Sequence, residues 1–140
     1  MFVDTNVLVQ ARILEAPDHE RARASLERAF AEPEALRINR QVLREYLAVV
    51  TRPQTWAVPL SREEALTDVE RLVTAFEVLE DGPVVTDRLV SLCRHVPVGG
   101  KQIHDANIVA TMLAYGERRL LTFNTDDFRR YGGRIELVVG

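Results

Sequence analysis

Cysteine is almost absent from this chain: Cys93 is the only one in 140 residues. An intramolecular disulfide is therefore impossible, and a thiolate metal cluster within one chain is excluded. Leu89, Leu92, Cys93 and Val96 follow helical spacing, which predicts a buried, inert thiol. Long apolar runs are missing too, since none approaches the ~20 residues that span a bilayer. Asp4 falls where the basic start of a secretory leader would lie, and no long apolar segment follows it. We therefore expect a soluble, cytoplasmic protein with no membrane segment. Positive charge is not in excess, because the formal net charge is −3. That argues against a surface coated in basic groups for nonspecific nucleic-acid binding, though it leaves room for a local basic rim around an acidic centre. Lysine is nearly lacking as well: Lys101 stands alone and the other cations are arginines, whose planar forks suit phosphate or carboxylate. We find no internal repeat, low-complexity tract or linker.

What is present can build a core. Hydrophobic residues make up 46% and charged residues 28%, and the length suggests one domain over 1–140. Phe2 and Val3 read as a buried strand running into Asp4. Helices are expected over Val7–Leu14, after Asp18 with Ala22, Leu26 and Phe30 on one face, and over Gln41–Val50 with a stripe of Val42, Tyr46, Val49 and Val50. Leu36–Asn39 is a strand candidate. Arg52–Pro59 holds two prolines and reads as a loop, in which Trp56 suits packing or an interface. Ser61–Glu64 is a capping box opening a helix whose predicted face is Leu66, Val69, Val73 and Phe76. A strand over Phe76–Leu79, the helix carrying Cys93, and a break at Pro97–Gly100 follow. Asp105 then heads a helix that runs to Tyr115 and stops at Gly116. Arg119–Thr122 reads as a strand, Phe123–Phe128 as a polar loop, and Ile135–Val139 as a final strand. Strands alternate with helices throughout, the mark of a parallel sheet covered on both faces.

Acids recur at comparable places in this pattern. Asp4 ends a strand, Asp105 begins a helix, Asp126 and Asp127 follow a strand, and Glu45 lies on an apolar helix face. Each has a plainer reading: Asp4 as a helix cap, and Glu45 as a border residue reaching solvent or Arg52. In a doubly wound sheet, however, strand ends and helix starts converge on one edge. Carboxylates gathered there cannot all stay ionised without a cation. Oxygen-only ligands favour Mg²⁺ or Mn²⁺ over Zn²⁺, and such a site suits phosphodiester hydrolysis. Arg12, Arg40 and Arg44 are candidates for an RNA-facing rim, with solvated helix faces as the alternative. Lys101 is a candidate phosphate contact and His104 a neighbour of Asp105.

Four stretches carry a resemblance: the N-terminal apolar-Asp4-Thr5-Asn6, the acid in Arg44-Glu45-Tyr46, the helix start Ile103-His-Asp-Ala-Asn107, and Leu121-Thr-Phe-Asn-Thr-Asp-Asp-Phe128. In this order, over essentially the whole chain, they resemble the PIN-domain ribonucleases, and most of all the VapC toxins of bacterial toxin–antitoxin pairs. The resemblance implies an α/β, PIN-like three-layer fold with a five-stranded parallel sheet between helices. It also implies Mg²⁺- or Mn²⁺-dependent endoribonuclease activity, a homodimer, and inhibition by a VapB-type antitoxin. Carried over by position, Asp4 and Asp105 are the metal ligands, Glu45 is the second acid, and Asp127 rather than Asp126 is the fourth. Thr5, Asn6, Thr122 and Asn124 would support them. Asn124 stands where many PIN domains have Asp, which weakens a second metal site. Two alternatives remain at this stage. One is a phosphoryl-transfer domain of haloacid dehalogenase or receiver type, which also places an Asp after the first strand. The other is a catalytically silent PIN-like interaction module.

Overall fold

The computed structural model describes residues 1–139. The chain begins with β1 (Phe2–Val3), α1 (Thr5–Arg12), α2 (His19–Ala31), β2 (Arg37–Asn39) and α3 (Arg40–Val50). It continues with α4 (Arg62–Ala75), β3 (Glu77–Leu79), α5 (Pro83–His95) and α6 (Gln102–Ala114). It closes with β4 (Arg119–Thr122), the one-turn α7 (Thr125–Phe128), a 3₁₀ segment over Arg129–Arg134, and β5 (Glu136–Val139). The five strands are all parallel, in the order β3-β2-β1-β4-β5. Consecutive residues Phe2 and Val3 in β1, and Leu120 and Leu121 in β4, are buried. Side chains alternate across a strand, so burial of neighbours means that helices cover both faces of the sheet. Each such side chain stabilises the fold by roughly 1.5–3 kcal/mol relative to exposure.

Strand order positions the site. From β1 the chain moves outward through β2 to β3, then returns to lay β4 on the other side of β1, with Phe2 and Val3 paired to Leu120 and Leu121. The reversal lies between β1 and β4, and in open α/β sheets the crevice outside the carboxyl ends at such a point takes ligands. Asp4 and Thr122 stand at those ends. Helix caps fix the local geometry: the Asn39 side chain accepts a bond from the Val42 amide at 3.0 Å, and Ser61 accepts one from Glu64 at 3.2 Å. Pro83 opens α5 with its φ already set for a helix.

Several expectations need correction. The first helix starts at Thr5 rather than Val7, because Asp4 itself caps it. The expected apolar face of α4 is turned: Leu66 is 41% and Val73 43% exposed, while Ala65 and Asp68 are buried. The cause is a polar contact inside the helix layer. The Tyr46 hydroxyl donates to Asp68 at 2.6 Å and Arg12 Nε donates to the same oxygen at 2.9 Å. On α2, Ala22, Ser25 and Ala29 pack inward while Phe30 stays 51% exposed. Phe76 caps α4 instead of starting β3. Residues Phe123–Phe128 are not all loop, since α7 makes one helical turn there. Cys93 is half-buried rather than buried, and Trp56 packs half-buried against the core.

Candidate active site

Asp4 is an acid held in place from every side. Its Oδ1 accepts the Thr5 amide at 2.8 Å, as a helix cap does. Its Oδ2 accepts the Thr122 hydroxyl at 2.8 Å and the Asn6 amide at 3.3 Å. Asn6 Oδ1 in turn accepts the Phe123 amide at 3.2 Å, and Thr122 Oγ1 accepts the Asn124 amide at 2.9 Å. These bonds lace the end of β1 to the end of β4. Burial, with only 6% of Asp4 exposed, pushes its carboxyl up to about 6, against the pull of the Thr122 and Thr5 bonds; the Glu45 charge pushes the same way as burial. The helix cap and a buried acid that holds its proton unusually tightly are thus the same residue.

Glu45 reaches the same region from α3. Its carboxylate accepts the Thr5 hydroxyl at 3.1 Å and the Gln41 amide at 2.7 Å. It pairs with neither Arg52 nor bulk solvent alone. Gln41 is a residue that sequence reasoning missed: its amide also donates to the His104 carbonyl at 2.8 Å, and its own oxygen accepts from Asn107 at 2.9 Å. One glutamine thus ties Glu45 to the first turn of α6, which carries Asp105. Asn39 and Thr111 were missed too; they bond at 3.3 Å beneath this bridge, where both are fully buried. The only signal for Gln41 was its position four residues before Glu45, on one helix face.

Asp105 sits half-buried in the first turn of α6. Its carboxyl is raised to about 6, first by burial and then by the charges of Asp4, Asp127 and Glu45, with Arg130 opposing. Asp105 thus feels the charge of three other carboxylates. Gln41, Arg44, Glu45, His104 and Asp105 line a cavity of about 370 Å³. Asp126 turns outward into an ion pair with Arg129, and the exposed Asn124 supplies its backbone amide rather than its side chain. Lys101 and His104 are exposed. Of the expected basic rim, Arg12 is bound to Asp68 and Arg40 to Glu80, the latter by two bonds at 2.7 and 3.3 Å.

The donor chemistry fits a hard divalent cation. All the candidate ligands are oxygens, and two of the carboxyls bind protons unusually tightly, first because they are buried and then because other carboxylates lie near. Among the described residues no three acids or imidazoles form a ready-made cage.

An acidic crevice of this kind, at the switch point of a parallel sheet, defines an α/β domain with carboxylates at the carboxyl edge of its sheet. Comparison with known proteins gives the family. A sequence profile described as "PIN domain" matches residues 1–134. Ribonuclease VapC48 of Mycobacterium tuberculosis is 31% identical over 134 residues, covering 93% of this chain and 90% of that protein. Ribonuclease VapC43 of the same organism is 30% identical over 115 residues, 81% of this chain and 78% of its own. The chain belongs to the PIN-domain family. Among solved structures, VapBC2 from Rickettsia felis, bound to a DNA fragment from its promoter, superposes with a TM-score of 0.74 at 20% identity over 99% of this chain and 97% of that one. Mycobacterium tuberculosis VapC20, a sarcin-ricin loop cleaving toxin, gives 0.67 at 20% identity over 91% and 92%. The family match sets aside the haloacid dehalogenase and receiver readings.

Proposed function

We propose that this chain, as one PIN domain, is a divalent-metal-dependent endoribonuclease and the toxin of a VapBC-type pair, acting in the cytoplasm. PIN-domain ribonucleases generally need a divalent metal; we assign Mg²⁺ or Mn²⁺ here because every donor is oxygen. The observation that carries the reading is the chain of hydrogen bonds that ties Asp4 through Thr5 to Glu45, and Glu45 through Gln41 to the first turn of α6, which holds Asp105. Asp4 and Asp105 would hold the ion, with Glu45 a ligand directly or through water and Asp127 the fourth acid. The ion, when bound, supplies a Lewis acid that activates water and steadies the leaving oxygen of a phosphodiester. Thr122, Thr5 and Asn6 keep Asp4 aimed and ionised, and Gln41 sets Glu45 against α6. Asp126, already engaged by Arg129, is a poorer candidate than Asp127.

A VapB-type antitoxin is the expected partner, and an apolar groove of about 250 Å³ supports it. Leu8, Leu26, Phe30, Leu72 and Phe76 line that groove beside Arg12. A basic side chain from the partner suits the acidic crevice itself, because an arginine fork matches paired carboxylates. A homodimer is likewise proposed, with exposed Val84 and Val90 of α5 offering apolar surface. No helix among the described residues is long and apolar enough to cross a membrane. The test is cleavage of RNA by purified protein in Mn²⁺, with EDTA, Asp4→Asn and Asp105→Asn as controls, together with mapping of new RNA 5′ ends after brief expression in cells. Cleavage that survives EDTA or either substitution would remove the metal, or that residue, from the reaction.

A further inference from the structure

The crevice that must receive RNA is acidic, so an approaching phosphodiester meets repulsion unless cations stand beside it. Most arginines near it are already committed: Arg12 to Asp68, Arg40 to Glu80 and Arg129 to Asp126. Two are not. Arg44 is exposed on α3, lines the cavity together with Gln41, Glu45 and Asp105, and forms no ion pair or hydrogen bond among the described residues. Gln41 and Arg44 are three residues apart, so they share a helix face. Arg130 is exposed in the 3₁₀ segment just beyond Asp127, also without an ion pair or hydrogen bond among the described residues. We propose that Arg44 and Arg130 are two phosphate subsites beside the acidic centre that engage one RNA strand. The proposal rests on the ribonuclease reading and names where its substrate lies.

Geometry and chemistry agree. Arg44 lines the cavity with Glu45 and Asp105, and Arg130 stands in the 3₁₀ segment that continues α7, whose Asp127 acts on Asp105. Arg130 is also the cation whose charge opposes those of the acids at Asp105. A guanidinium offers a fork of donors to a phosphate, and one left without a carboxylate has that fork available. A cation bonded to Asp4 or Asp105 would compete with a metal, whereas neither of these two is hydrogen-bonded or ion-paired to either acid.

The experiment measures cleavage of a single-stranded RNA oligonucleotide in Mn²⁺ at several KCl concentrations. Wild type, Arg44→Ala, Arg130→Ala, Arg44→Lys and Arg130→Lys are compared. Arg88→Ala is the control, an exposed and equally unpaired α5 residue outside the cavity. Each alanine variant should raise KM roughly 10–100-fold, the span of a charge-assisted hydrogen bond, with kcat nearly unchanged. Each should flatten the dependence of log kcat/KM on log [KCl] by about 0.7, one phosphate contact on a single strand. The lysine variants should keep the salt slope but recover only part of the KM, since a point charge lacks the fork. Melting temperatures should match wild type, because neither side chain is bonded in the fold. Alanine variants with the KM and salt slope of Arg88→Ala would overturn the subsites while leaving the nuclease intact. A fall in kcat alone would overturn them too, in favour of a contact made only in the transition state. A wild type that cuts no RNA would refute the nuclease reading and the subsites with it.

Discussion

Removing the charge of Asp105 should stabilise the metal-free protein. Its carboxyl rises from 3.8 to about 6 in the folded state. A rise of ~2 pKa units corresponds to ~3 kcal/mol at 1.36 kcal/mol per unit. Asp105 is only half-buried, so solvent screening reduces this to ~1 kcal/mol. The sign follows from where the proton binds more tightly. The folded carboxyl holds its proton above the unfolded value, so the folded state gains stability as pH falls through 6, and the gain is complete below 3.8. At pH 8 the full penalty is present. Asp105→Asn should therefore melt ~3–5 °C above wild type at pH 8 in EDTA, and the difference should vanish near pH 4. Metal reverses the order: Mn²⁺ at ~100 times its dissociation constant adds ~2.7 kcal/mol to wild type, and the variant should gain little of it. Thermal melts of both proteins at pH 8 and pH 4, with EDTA and with Mn²⁺, supply the four comparisons. If Asp105→Asn melts below wild type in EDTA by the same amount at both pH values, the crowding of charge at the crevice is refuted, and Asp105 is a structural residue.

Other outcomes follow from the same contacts. Thr122→Val deletes the 2.8 Å bond to Asp4 Oδ2 and leaves a buried carboxylate less satisfied. We expect a loss of ~1–3 kcal/mol at pH 8 in urea unfolding, smaller near pH 4, where Asp4 is protonated in both proteins. Asn39→Ala removes the cap of α3 and should cost ~1 kcal/mol by the same assay. Tyr46→Phe leaves Asp68 with Arg12 alone and should lower stability by ~1.5–3 kcal/mol without changing Mn²⁺ affinity. A complex with the antitoxin should place a basic side chain among Asp4, Glu45 and Asp105, and a solved complex with that crevice open to solvent would contradict this mode of inhibition.

The parts of this architecture that were legible in the sequence are those set by local chemistry. Phe2 and Val3 run straight into Asp4, Ser61 and Glu64 mark a helix start, and Ala106, Val109, Ala110 and Leu113 carry the period of α6. The hidden parts depend on partners far along the chain. Nothing near Asp68 says that a mid-helix acid will be buried, because Tyr46 and Arg12, 22 and 56 residues away, supply its bonds. For the same reason the apolar stripe of α4 gave only part of the buried face: Val69 and Phe76 pack inward, while Leu66 and Val73 do not. Gln41 joins α3 to α6 across 63 residues, and a polar bridge of that span has no periodicity to betray it. The arginines divide likewise: Arg12, Arg40 and Arg44 look alike in sequence, and only folding brings Asp68 and Glu80 to two of them.

Calorimetric titration of Mn²⁺ into metal-free protein at pH 6, repeated in buffers of different ionisation enthalpy, tests the shared acidic centre most directly. Asp4 and Asp105 each titrate at about 6, so a cation bound between them must displace protons there. Wild type should bind Mn²⁺ and release close to one proton at pH 6 and far less at pH 8. Asp4→Asn and Asp105→Asn should bind at least ~10-fold more weakly, on the scale seen when support for a metal ligand is lost. Wild-type binding that releases no proton at pH 6, or variants that bind Mn²⁺ as tightly as wild type, would contradict the account.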